Sequence, residues 1–396
     1  MMLLLCLSSQ LNAQENLVTI YPDGNVATDG KINSKIMARQ IRRDSIRANK
    51  KVWTSVLGGP SYTPEASVGI AAAALMSFRI NGQDTISQRS FLPVGINVSI
   101  NGTVAVAGAG TLFFRENRFR IYTKYGYREE PSNFYGVGFD EINNVERSDS
   151  TTFFDKTSIY FNAQYVWEVY PALYLGGVTD INFSNSRNIN ALMAENSYIN
   201  QYSLRYTNIG LGALIQYDSR DDVATPFSGV FLSAMANVYS KAFGGAYNYQ
   251  RLDFEYRQFQ PLFHRATLAW TARAQMSYGD VPFTELPTFG SPFDLRGYCV
   301  GQYRDRSAGY GIVEFRHMFG SQEAYKRKDP ISKFGYVAWF GAGTLGATPA
   351  YWNEWKLNYG AGLRVQIQPG KNVRFDVGKG QGGNGVMVYF NMTEAF

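Results

Sequence analysis

From Trp53 to its last residue the chain alternates apolar and polar side chains with a period of two, over stretches that outrun the strands of soluble proteins. Between Ser158 and Val169, one face holds Ile159, Phe161, Ala163, Tyr165, Trp167 and Val169, and the other holds Asn162, Gln164 and Glu168. The same split sets Phe119, Ile121, Tyr125 and Tyr127 against Arg118, Arg120, Lys124 and Arg128. It sets Leu252, Phe254 and Tyr256 against Asp253, Glu255 and Arg257. Successive side chains on a strand point to opposite faces, so each stretch reads as a strand between two different media. Many of these stretches run to about 9 to 14 residues, against the ~5 to 6 usual in soluble sheets and the ~9 to 11 that a tilted strand needs to cross a bilayer.

A helical crossing needs roughly 18 consecutive apolar residues, and the best run here, Val68 to Met76, is far shorter. Backbone amides cannot go unpaired in hydrocarbon, so the remaining way to span a membrane is a closed sheet. Composition agrees: 27 tyrosines, 27 phenylalanines and 39 glycines with only 18% charged residues suit strands better than helices. Aromatics gather toward strand ends, as in Tyr122 to Tyr127, Trp167 to Tyr174 and Tyr351 to Trp355, where interfacial girdles belong. Fifteen strands are plain, beginning near residues 67, 89, 104, 119, 153, 172, 203, 228, 247, 264, 309, 332, 357, 371 and 385. Barrels of bacterial outer membranes have even strand numbers, so the short, weakly patterned stretch Trp53 to Tyr62 is the sixteenth, beside the last strand at the closing seam. The expected fold is an all-β transmembrane antiparallel barrel over residues 53–396, with sixteen strands and fourteen as the alternative. Its longest connection, Gly279 to about Ala308, is expected to be external and to fold inward.

The first thirteen residues carry a short apolar core, Leu3 to Leu7, before Ser8, Ser9 and Ala13, and read as a secretory signal peptide. Cys6 would suit acylation only behind a small residue, and Leu5 stands there. That leaves Cys299 in the mature chain, too few for a disulfide framework. Residues 14–52 read as a basic periplasmic arm: Lys31 to Lys51 holds eight basic residues against Asp44 alone. Because the excess sits in one short segment, it gives no argument for nucleic acid, and its partners would be anionic headgroups or a periplasmic protein.

The long connection reads Leu286-Pro-Thr-Phe-Gly-Ser-Pro-Phe-Asp-Leu295-Arg296-Gly297-Tyr298. Its last four residues resemble the aliphatic-Arg-Gly-aromatic tetrad on the infolded sixth external loop of the BamA/TamA family, the bacterial surface antigen superfamily. Other matches follow in order. Tyr217, Asp218, Ser219, Arg220 and Asp221, then Pro226 and Gly229, resemble the opening of that family's C-terminal half. Val313-Glu314-Phe315-Arg316 resembles the strand whose acid meets the loop arginine. Tyr359 to Arg364, Arg374-Phe375-Asp376 and the final Phe396 resemble the closing strands. Alternation independently puts Glu314 and Arg316 on the lumenal face, opposite Val313 and Phe315, and a lumenal glutamate needs a cation such as Arg296. The resemblance thus implies that Arg296 meets Glu314 and Arg316 inside the barrel. A second acid on the following strand is missing from Val337 to Thr344, with Gly341 near its place, so Glu314 is expected to hold the loop alone or weakly. The last strand, with Phe390, Met392 and Phe396 on one face, resembles the signal by which assembly machinery recognises a client barrel. Only about forty residues lie between the expected leader and Trp53, too few for the family's periplasmic transport-associated domains, which implies a barrel-only form.

His264 at a turn and His317 on the outer face have no Ser or Asp arrangement beside them, and no metal cluster or nucleotide loop is present, so no enzyme and no cofactor are expected. Three functions fit: a barrel in the bacterial outer membrane that aids assembly, insertion or translocation of outer-membrane proteins or lipids; a passive channel; or a scaffold whose arm holds a periplasmic partner.

Overall fold

The computed structural model describes residues 52–63, 67–80, 87–145, 151–223, 225–320, 330–368, 371–381, 385–391 and 394–396. The expected leader, and all of the expected basic arm but Val52, lie outside the described residues, as does Met392. Residues 54–396 form the barrel unit.

Sixteen strands make one antiparallel sheet in chain order. They are β1 (Val52–Thr63), β2 (Ser67–Phe78), β3 (Ser90–Ser99), β4 (Val104–Phe114), β5 (Phe119–Asn133), β6 (Phe153–Tyr170), β7 (Leu173–Arg187) and β8 (Arg205–Asp218). The second half continues with β9 (Gly229–Tyr239), β10 (Tyr249–Phe263), β11 (Ala266–Gly279), β14 (Ser307–Met318), β15 (Phe334–Gly346), β16 (Lys356–Gln368), β17 (Lys371–Gly380) and β18 (Val386–Asn391). Two further two-residue strands, β12 (Thr288–Phe289) and β13 (Tyr303–Arg304), pair with each other inside the long loop. The fold is the sixteen-stranded transmembrane barrel that the alternation predicts; the fourteen-strand alternative is not met. The stretch expected to be short, Trp53 to Tyr62, lies in the twelve-residue β1, and the short terminal strand is instead β18, with six residues.

The two faces separate as the pattern requires. Ile159, Phe161, Trp167 and Val169 of β6 are 40–55% exposed on the outside, a surface that water would reject and lipid accepts. Opposite them, lumenal Asp253, Thr271, Gln275, Glu314, Arg374 and Asp376 are buried. Tight turns mark one end: the hairpins at Pro171–Ala172 and His264–Arg265 need only two residues, with Ala172 and Arg265 in the left-handed region at φ 64° and 53°. In outer-membrane barrels that end faces the periplasm and the longer loops face outward.

At the outer end the connections pack on one another. Phe134, Phe154, Met193, Ile199, Val281, Phe283 and Leu286 form an apolar cluster, and Tyr198 donates to the Val281 carbonyl at 2.7 Å. A second cluster joins the loop residues Phe289, Leu295, Tyr298 and Tyr303 to the lumenal wall at Phe259, Ile312, Val337 and Trp339. The long loop is therefore inside the barrel, lying against its C-terminal half.

Candidate functional site: an arginine latch in the lumen

Asp294 builds the turn that presents the tetrad. Its Oδ1 accepts the amides of Gly290 at 3.0 Å and Ser291 at 2.7 Å, and its Oδ2 accepts the Ser291 hydroxyl at 2.8 Å. Arg296 follows, fully buried. Its Nη1 donates to Asp376 Oδ2 of β17 at 2.7 Å, its Nη2 donates to Glu314 Oε1 of β14, and its guanidinium carbon lies 3.6 Å from the ring centre of Trp339 on β15. Both carboxylates are likewise 0% exposed, so neither has water as an alternative partner. One side chain of the loop thus ties together three strands.

The neighbouring residues explain why this arginine can come so close. Gly297 has φ 109°, and a Cβ there would sit 2.4 Å from the Gly380 amide nitrogen on β17. A Cβ on Gly343 would meet Leu295 at 2.1 Å, and one on Gly380 would meet the Tyr298 ring at 2.4 Å. Small residues on the wall therefore make the slot that the tetrad fills. The Tyr298 hydroxyl donates to the Leu357 carbonyl at 2.5 Å and accepts the Gln381 amide at 2.9 Å, while the Gly297 amide donates to Tyr389 Oη at 2.8 Å.

The resemblance implied that Arg296 meets Glu314 inside the barrel, and the structure pairs the two. Arg316 donates to Glu314 Oε2 at 2.8 Å and lies over the Phe396 ring at 4.6 Å, so it meets the carboxylate that holds Arg296. The expectation that Glu314 holds the loop alone or weakly is corrected. Asp376 supplies the second acid from two strands further on and also accepts Arg364 Nη1 at 2.6 Å and Arg374 Nη1 at 3.0 Å. Gly341, where an acid was sought, leaves room for Asn358: a Cβ there would meet Asn358 Oδ1 at 2.5 Å, and Asn358 Nδ2 donates to the Arg296 carbonyl at 2.9 Å. On β17 Asp376 alternates with outward Phe375 and Val377 and so is lumenal. What single-strand reasoning lacked was the register that carries it under the loop.

Asp218, Arg220 and Asp221 form a separate structure at the β8–β9 turn. Asp218 accepts Arg220 Nε at 2.8 Å and Arg120 Nη1 of β5 at 3.1 Å; Asp221 Oδ1 accepts the amides of Asp222, Phe227 and Ser228 at 2.9, 2.9 and 3.2 Å. Phe390 faces outward, 49% exposed, but Phe396 is corrected from that face. It is buried against Arg316 and Phe259, because the chain has left the β18 ladder before it. Cys299 is buried on the loop and in no disulfide. Among the described residues no cluster of His, Cys, Asp or Glu suits a metal, and no helix is long and apolar enough to cross a membrane.

At the mouth of the loop, in the turn Phe283–Glu285, burial raises the Glu285 carboxyl to about 7; Asp180 adds to the rise while Arg251 and Lys156 oppose it. A carboxyl raised on folding favours the folded loop when protonated, so this contribution is full below its ordinary value and fades as pH climbs through about 7. Proteolytic nicking within residues 283–306, scaled to an unfolded control, is expected to slow between roughly pH 8 and roughly pH 5. Glu285→Gln should be nicked slowly at both; unchanged pH dependence in that variant would contradict the assignment.

An apolar-skinned barrel of sixteen strands with a loop latched in its lumen is an integral protein of the bacterial outer membrane. Residues 94–396 match the Omp85 superfamily domain, and the chain belongs to that superfamily. Its fold is similar to that of BamA from Haemophilus ducreyi lacking POTRA domains 1–3, at TM-score 0.56 and 14% identity over 86% of this chain and 69% of that one. It is also similar to CdiB from Escherichia coli, at TM-score 0.56 and 12% identity, and to CdiB from Acinetobacter baumannii, at 0.54 and 11%. It covers 87% of itself in both CdiB matches but only 63% and 60% of those chains. No curated protein matches its sequence.

Proposed function

We propose that this barrel aids the assembly or translocation of polypeptides at the outer membrane, with the latched loop controlling access to the lumen beside the last strands. The observation that carries this reading is Arg296, which binds β14 and β17 at once and so couples the loop's position to the C-terminal wall. Superfamily membership supports the same class of activity. The reading assigns no chemical step to any side chain. Depleting the protein should lower the levels of other outer-membrane proteins, and re-supplying Arg296→Ala should restore them only in part. Unchanged outer-membrane protein levels on depletion would remove this function.

A second reading, a passive channel, draws on exposed Lys124 and on Glu255, Arg257 and Arg273 along the lumenal face. It requires planar-bilayer conductance that rises when Arg296→Ala frees the loop, and small closed-state currents before and after the substitution would end it.

A further inference from the structure

At the tight-turn end of the barrel, where the β2–β3 connection meets the β4–β5 turn Arg115–Arg118, lies a cavity of about 510 Å³ bordered by Arg79, Gln88, Phe114, Arg115, Phe119 and Trp167. The turn belongs to that end because its Arg118 carbonyl accepts the amide of Glu168, close to the end of β6. Arg115, Glu116 and Asn117 all stand in the left-handed region, at φ 49°, 60° and 70°. Asn117 ties the turn to its neighbour: its Oδ1 accepts the Gln88 amide at 2.7 Å, and its own amide donates to Ser87 Oγ at 3.2 Å. The two segments that carry the arginines are thus held at a fixed spacing. Arg115 is exposed and forms no ion pair among the described residues. Arg79 is half-buried and close enough to Arg89 for their like charges to act on one another; burial, and then Arg79, hold the Arg89 guanidinium below its ordinary value. Among the described residues no carboxylate borders the cavity. An anion seated on Arg79 and Arg115 would relieve that repulsion and give Arg115 the partner it lacks.

The setting selects the source of the anion. Phe119 stacks on Trp167 with ring centres 4.5 Å apart and meets Phe114 at 5.3 Å, and Trp167 is 49% exposed on the outer face. Aromatic belts sit at headgroup level, so the cavity opens where lipid phosphates lie. We propose that this rim cavity binds an anionic phospholipid of the periplasmic leaflet, of the phosphatidylglycerol class, with the phosphate held by Arg79 and Arg115 and the glycerol hydroxyls by Gln88. A zwitterionic headgroup would bring its ammonium among arginines with no carboxylate to receive it. The site lies apart from the loop tetrad and does not depend on what the barrel transports.

The full chain, extracted in mild detergent, would be examined by native mass spectrometry with added phosphatidylglycerol, phosphatidylethanolamine or diacylglycerol, and with equimolar inorganic phosphate or polyglutamate as competitor. Phosphatidylglycerol should be retained about tenfold more strongly than either other lipid, and Arg115→Gln and Arg79→Gln should each lower its retention about fivefold. Lys241→Gln, which removes an exposed cation from the opposite end of the barrel, should leave retention unchanged. Arg115 is exposed, so its variant should keep the compact electrophoretic band of the folded barrel and decides the matter if Arg79→Gln does not fold. Equal retention of phosphatidylethanolamine or diacylglycerol would remove the selectivity for an anionic headgroup, and displacement by inorganic phosphate would make the cavity a free-phosphate site. Displacement by polyglutamate would make it a patch for an acidic polypeptide, and an equal loss in Lys241→Gln would reduce binding to overall charge. Any of these overturns the assignment.

Discussion

Replacing Asp376 by alanine is expected to destabilise the barrel by about 3–5 kcal/mol, more than any other single change in the latch. Four guanidiniums, those of Arg296, Arg316, Arg364 and Arg374, share three carboxylates, Glu314, Asp376 and Glu394, and Asp376 alone accepts from three of the four. Removing it leaves like charges packed together without water, where an unpaired ion costs most. Arg296→Ala is milder, about 1–3 kcal/mol, because Glu314 keeps Arg316 and Asp376 keeps Arg364 and Arg374. The temperature at which the unboiled protein loses its compact electrophoretic band ranks the two. Equal shifts would mean that Asp376 is not the hub of the network.

Gly297→Val should expel the loop while leaving the strands intact. The backbone at φ 109° strains any side chain, at about 1–3 kcal/mol, and the new Cβ would also press on the Gly380 amide 2.4 Å away. No flexible group can yield there, since the obstacle is the main chain of β17. Cleavage within Gly290 to Tyr303 by an added protease should rise steeply, while the band of the folded barrel persists. An uncut loop in this variant would show that the tetrad does not need its close approach to β17.

Much of the fold was legible because a membrane barrel writes itself in one repeating rule. Every strand separates lipid from lumen, so alternation is long and unbroken, and strand starts such as those near 104, 119, 153 and 371 fall where β4, β5, β6 and β17 begin. The ends of the sheet were harder. β1 is weakly patterned, and its twelve residues are fixed by membership in the sheet rather than by its own alternation. Within the site, Arg296 and Glu314 could be paired from motif and face, but Asp376, Asn358 and Trp339 could not. Each lies on the lumenal face, yet which lumenal residues lie under the loop depends on the stagger between strands, and a single sequence carries no signal for that. Phe396 failed for a related reason: alternation predicts a face only while the strand continues.

The claim that the loop is seated inside the barrel is tested most directly by alkylating Cys299 in the folded protein, in a Cys6→Ser background, with a bulky water-soluble maleimide. Cys299 is 2% exposed next to the tetrad, so the otherwise unaltered barrel should react slowly and Gly297→Val rapidly. Rapid labelling of the unaltered barrel, at the rate of the variant, would contradict the account.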